Sequence, residues 1–184
     1  TEATQRMLAK VEFYLENLRG PKPVIATHNR NELSFPKTNS VFYIGTAGAR
    51  KFGRGDTITH LLASEIAYWP DPKTLAAGLF QAVPIGGIIA AESTGNGSGN
   101  YYHNLCVRAL KGQGQFRLYF LPWHTEPAYR VPCTLEDAQT LMGSLDESTG
   151  EPDLVRQYNL DAQQLLFRRN KLDELDYDLQ AWDQ

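Results

Sequence analysis

Between residues 40 and 121 short apolar runs alternate with amphipathic helical stretches, and that alternation most constrains the fold. Ser40–Gly45 (SVFYIG), Thr59–Ser64 (THLLAS), Gly87–Glu92 (GIIAAE) and Phe116–Leu121 (FRLYFL) read as four strands. Brief, continuously apolar runs suit strands covered on both faces. Residues 71–82 and 100–110 read as helices between them: Pro72 suits a first helical turn, and Tyr102, Leu105, Cys106, Ala109 and Leu110 fall on one side of the second. Parallel strands need such crossovers. The pattern therefore predicts an α/β domain with a mostly parallel sheet flanked by helices.

The flanks differ from this middle. Met7, Leu8, Val11, Tyr14, Leu15 and Leu18 repeat at helical spacing over residues 4–18, and Gly20-Pro21 ends the run. Residues 19–39, rich in Pro, Asn and Thr, read as loop with at most a short strand near Val24-Ile25. Beyond Pro122, Thr134 with Asp137 marks a helix start, and Asp161 with Gln164 marks another that carries Leu165, Leu172 and Leu175. The polar stretch 146–152 lies between them. Residues 1–130 are expected to form the sheet domain and 131–184 a C-terminal helical subdomain.

Composition removes several classes of function. Apolar residues make up 42% and charged residues 21%, enough for a packed core and unlike a disordered protein. No apolar run approaches the roughly 18 residues of a membrane-spanning helix. Cys106 and Cys133 are too few for a disulfide framework, and His28, His60, His103 and His124 are scattered without ligand spacing. The net charge of −3 carries no whole-chain signal for nucleic acid. The acids crowding the last dozen residues read as a solvated face. The start at Thr1 rather than Met is read as an excision from a longer protein.

In an open parallel sheet, ligands bind beyond the carboxyl ends of the strands. That rule selects Gly45-Thr46, Ser64-Glu65, Glu92-Ser93-Thr94 and Pro122-Trp123-His124. Glu65 is the sharpest candidate, because a carboxylate at a strand end can polarise a water for attack; the alternative is an acid that caps the turn behind it. The Gly-rich loop 46–56 carries Arg50, Lys51 and Arg54, and an arginine there could reach a phosphate on a neighbouring subunit; the alternative is a solvated loop. Ser93, Thr94 and Asn96, leading into the 100–110 helix, suit the sensing of a phosphate or bound water. No Gly-Lys-Ser/Thr sequence occurs, so the chain holds no phosphate-cradling P-loop. Neither Ser64 nor Ser93 has a Gly-x-Ser-x-Gly elbow.

Taken in order, residues 53–69 (GRGDTITHLLASEIAYW), 91–102 (AESTGNGSGNYY), 116–129 (FRLYFLPWHTEPAY) and 160–171 (LDAQQLLFRRNK) resemble the second half of the ATPase domain of phage terminase large subunits and its linker to the nuclease domain. The resemblance implies a partial RecA-like P-loop ATPase fold. Glu65 would be the Walker B glutamate that activates the hydrolytic water, and Arg54 a trans-acting arginine finger. Ser93, Thr94 and Asn96 would lie in the motif that couples hydrolysis to DNA movement. Many Walker B motifs have Asp where this chain has Ser64; a hydroxyl can bond a metal-bound water but adds no charge, so it would hold Mg2+ weakly. The implied cofactors of the intact protein are ATP and Mg2+, with none bound to this chain alone. The implied partners are double-stranded DNA, the small terminase subunit, the portal protein and other large-subunit copies, with no membrane, in the host bacterial cytoplasm. Two other readings stay open: a RecA-like helicase fragment, and a non-catalytic interaction module.

Overall fold

A computed structural model describes residues 2–47 and 57–178. Residues 1–93 and 94–184 form two compact units.

The first unit opens with α1 (Glu2–Glu16), close to the expected span. Leu8 is buried, whereas Phe13 and Tyr14, in edge contact at 6.1 Å, remain exposed. An antiparallel meander follows: β1 (Thr27–His28), β2 (Glu32–Phe35) and β3 (Ser40–Tyr43), with β2 in the middle and Leu33 fully buried. Two expectations are corrected here. The strand SVFYIG is antiparallel and belongs to its own sheet, and the loop 19–39 contains two strands, neither at Val24-Ile25. The reason is the reversal Pro36–Asn39. Asn39 adopts the left-handed conformation (φ 50°), and the Thr38 N–H donates to the Phe35 carbonyl at 3.2 Å. A four-residue turn reverses the backbone at small entropic cost, whereas a parallel partner would need a long crossover.

The same unit holds the parallel pair. β4 (His60–Ser64) and β5 (Ile88–Glu92) run in register from His60 opposite Ile88 to Ser64 opposite Glu92. They are joined through a short 3-10 turn, Ile66–Tyr68, and α2 (Pro72–Gln81). The Asp71 carboxylate accepts the Thr74 N–H at 3.2 Å, capping α2 where Pro72 begins it. Leu61, Ala63, Ile66, Ala67, Ala76 and Leu79 are the buried apolar set around this crossover. Leu62 and Ile88 stay exposed, so one face of the pair is open within this unit. Glycine stands at 87, just before β5, because a Cβ there would lie 2.5 Å from Val83 Cγ1 and 3.0 Å from the Thr59 carbonyl oxygen. That close approach lets the Ile88 N–H donate to the Thr59 oxygen at 2.9 Å and set the register.

The second unit begins with the loop before α3 (Tyr101–Leu110). Asn100 caps this helix, its side-chain oxygen accepting the His103 N–H at 2.9 Å. Phe116–Leu121, expected as a strand, joins no sheet among the described residues. Tyr119, Phe120 and Leu121 are 72%, 78% and 87% exposed. A run with strand propensity becomes a strand only where a partner offers its ladder, and the described part of this unit contains no strand. The expected sheet of four mostly parallel strands is thus, among the described residues, one parallel pair and one antiparallel meander.

Helices complete the unit: α4 (Leu135–Gly143), α5 (Glu151–Tyr158) and α6 (Ala162–Glu174). Both cap signals read from the sequence are in place. The Thr134 Oγ1 accepts the Asp137 N–H at 3.1 Å, and Asp161 with Gln164 forms a reciprocal capping box with both bonds at 3.0 Å. Helix α5 had no expected counterpart. It is bounded by left-handed Gly150 (φ 72°) and Asn159 (φ 52°), and its eight residues span little more than two turns, a short stretch next to a polar segment. Leu160, Ala162, Leu165 and Leu172 form the buried apolar set of this region, with stacked Tyr129 and Phe167 beside it at 4.8 Å.

Candidate functional site at the strand ends

Parallel pairing brings the carboxyl ends of β4 and β5 to one rim. Ser64 closes β4 opposite Glu92, the last residue of β5, so Glu65 and Ser93 both follow directly from paired strand ends. Glu65 leaves the strand sharply, with φ 54° and ψ 40°. For a residue with a Cβ that left-handed conformation costs roughly 1–2 kcal/mol. Its carbonyl oxygen accepts the Tyr68 N–H at 3.0 Å, so the turn folds back on itself. The exposed Glu65 carboxylate accepts the Ser93 hydroxyl at 3.3 Å, and Ser93 Oγ in turn accepts the Ala67 N–H at 3.3 Å. Hydroxyl, carboxylate and turn backbone are thereby linked across the two strand ends. The Trp69 indole N–H donates to the Ser64 carbonyl at 2.9 Å and anchors the turn to the end of β4.

Of the residues selected from the sequence, Ser64, Glu65 and Ser93 come together. Thr94 and Asn96 fall in the second unit, in the loop before α3. There Asn100 Nδ2 donates to the Asn96 carbonyl at 2.7 Å and the Gly97 carbonyl at 3.0 Å, and Asn104 Nδ2 donates to the Gly99 carbonyl at 3.1 Å. Arg54 lies outside the described residues. Glu92, selected with Ser93 and Thr94 as a strand end but given no role of its own, is set beside Ser64 by the register. Its signal was present as the acid that ends an apolar strand.

This rim can orient a water with a carboxylate and a hydroxyl. Among the described residues no group of three or more His, Cys, Asp or Glu residues could hold an ion. Mg2+ relies on one or two carboxylates together with substrate phosphates, and the sequence supplies no phosphate cradle.

The basic residues of α6 are engaged within this unit. Arg169 grips the fully buried Glu151 carboxylate at 2.8 and 2.6 Å and donates to the Ser144 carbonyl at 2.8 Å. Arg168, also buried, donates to the Thr149 carbonyl at 2.7 Å, and Lys171 pairs with Glu174 at 2.6 Å. Burial pushes the Glu151 carboxyl up, but the Arg169 hydrogen bonds, the Asp146 N–H and the two guanidinium charges outweigh it and hold the group below its ordinary value. The hydrogen bonds to Glu151 in turn raise Arg169. These contacts tie the 144–151 segment to α6.

No family model matches the sequence, and no curated protein or solved structure matches it. Among the described residues no helix is long and apolar enough to cross a membrane.

Proposed function

We propose that this protein is part of the motor region of a phage terminase large subunit, acting within the intact protein to couple ATP hydrolysis to the movement of double-stranded DNA. The observation that carries the reading is the Glu65–Ser93 hydrogen bond across the ends of two parallel strands. A carboxylate held at that rim is placed to orient a water, and a hydroxyl on the neighbouring strand end is placed to respond when the carboxylate changes partner. The left-handed backbone of Glu65 supports the same reading, because strain of this kind gathers at functional positions. Ser64 would contribute a hydroxyl to a metal-bound water, and Arg54 a cation from the preceding loop. Thr94 and Asn96 would carry the response into the segment before α3. DNA, the small subunit, the portal and further large-subunit copies are the proposed partners, and the host bacterial cytoplasm is the proposed location.

The test is Glu65→Ala in the intact protein. Packaging of DNA into procapsids should be abolished while far-ultraviolet circular dichroism stays unchanged. Normal packaging by a correctly folded variant would remove Glu65 from the mechanism and favour an interaction module.

A further inference from the structure

Asn96 and Gly97 form the one Asn-Gly pair in the sequence, and both are exposed in the loop before α3. Gly97 has φ 72°, and nothing lies within 4 Å of where its Cβ would stand. Its carbonyl oxygen is held by Asn100 Nδ2, but its N–H donates to no group among the described residues. The attacking nitrogen is therefore uncommitted, uncrowded and open to solvent. We propose that Asn96 is a site of spontaneous modification, converting through a cyclic imide to aspartate and isoaspartate.

The Gly97 backbone nitrogen attacks Asn96 Cγ and a new bond forms between these two atoms. The bond from Cγ to the amide nitrogen Nδ2 breaks, and ammonia leaves with the proton lost from Gly97. Water then opens the five-membered imide at either carbonyl, returning aspartate or leaving the backbone routed through Cβ and Cγ as isoaspartate. The loop favours this position over its neighbours. Asn104 lies inside α3, where the following N–H, that of Leu105, is committed to the helical ladder. Asn39 is followed by Ser40, whose Cβ crowds the attack that Gly97 leaves open.

The structural consequence follows from the Asn100 brace. Its 2.7 Å bond to the Asn96 carbonyl and 3.0 Å bond to the Gly97 carbonyl hold the loop against the start of α3. In isoaspartate the original Asn96 carbonyl leaves the backbone as a carboxylate while the Gly97 carbonyl stays in it, so the spacing of the two acceptors changes and a negative charge is added. The inference rests on the loop geometry and stands apart from the motor reading.

The full-length protein is incubated in mildly alkaline buffer, folded and in denaturant, and peptide mass spectrometry with isoaspartyl methyltransferase labelling follows each asparagine. In the folded protein isoaspartate should accumulate at position 96 several-fold faster than at Asn39 or any other asparagine, and Asn96→Gln should abolish that signal. Retention of Asn96 in the folded protein, whatever the unfolded protein does, overturns the proposal, as does accumulation chiefly at another asparagine.

Discussion

Glu65→Gly and Glu65→Ala remove the same carboxylate but treat the backbone differently. At φ 54° and ψ 40°, alanine keeps the clash of its Cβ with the following carbonyl, whereas glycine has none. Both variants lose the Ser93 contact, which at 3.3 Å and exposed to solvent contributes at most about 0.5 kcal/mol. What distinguishes them is the left-handed penalty, roughly 1–2 kcal/mol, less the extra backbone entropy that glycine loses on folding, roughly 0.5–1 kcal/mol. Glu65→Gly should therefore be the more stable, by about 0.75 kcal/mol at the midpoint of these ranges and by about 1.5 kcal/mol at most. In a protein of 184 residues that corresponds to a few degrees in Tm, with about 2–4 °C per kcal/mol. Trp69 is the natural reporter, because its indole is bonded to the Ser64 carbonyl next door. The background substitutions Trp123→Phe and Trp182→Phe leave it as the sole tryptophan, and fluorescence-monitored thermal and urea unfolding then reads this unit. Equal stability of the two variants, or a more stable Glu65→Ala, would refute the strained-turn argument. In the intact protein both variants should lose packaging, so the gain in stability and the loss of function would appear in one substitution.

Glu151→Ala should destabilise the second unit by about 3–5 kcal/mol in urea unfolding, because it strips a buried carboxylate from Arg168 and Arg169. The acid response has a definite sign. Glu151 titrates below its ordinary value in the folded protein, so its stabilisation is complete above the unfolded carboxylate pKa of about 4.3 and is lost as pH falls through the lower folded value. Glu151→Gln should flatten that part of the stability–pH curve; an unchanged curve would show that Glu151 is not the titrating group. Isothermal calorimetry of this protein with Mg-ATP should give no binding heat, since no P-loop is present in the sequence, and micromolar affinity would contradict this.

Local signals were readable and long-range ones were not. Asp71, Asn100, Thr134 and Asp161 cap helices within a residue or two of the expected starts, because a cap joins a polar side group to an N–H three residues away. The crossover from β4 through α2 to β5 was equally legible, since its apolar periods and turn residues are written consecutively. Strand direction was different. SVFYIG looks the same in a parallel or an antiparallel ladder, and only the reversal at Asn39 decides it. FRLYFL has strand composition, but pairing depends on another segment's free edge, which its own residues do not encode.

For the candidate site, the sequence by itself determined which chemical groups end the strands: Ser64, Glu65, Glu92 and Ser93. Tertiary structure decided which of them meet. Register set Glu92 beside Ser64, the left-handed turn brought the Glu65 carboxylate within reach of Ser93, and helix packing committed Arg168 and Arg169 to Glu151 rather than to solvent. The physical reason is range. Caps and periods act over three or four residues, whereas the β4–β5 ladder and the buried Glu151 ion pairs close much longer loops and form only when many contacts offset that entropy together.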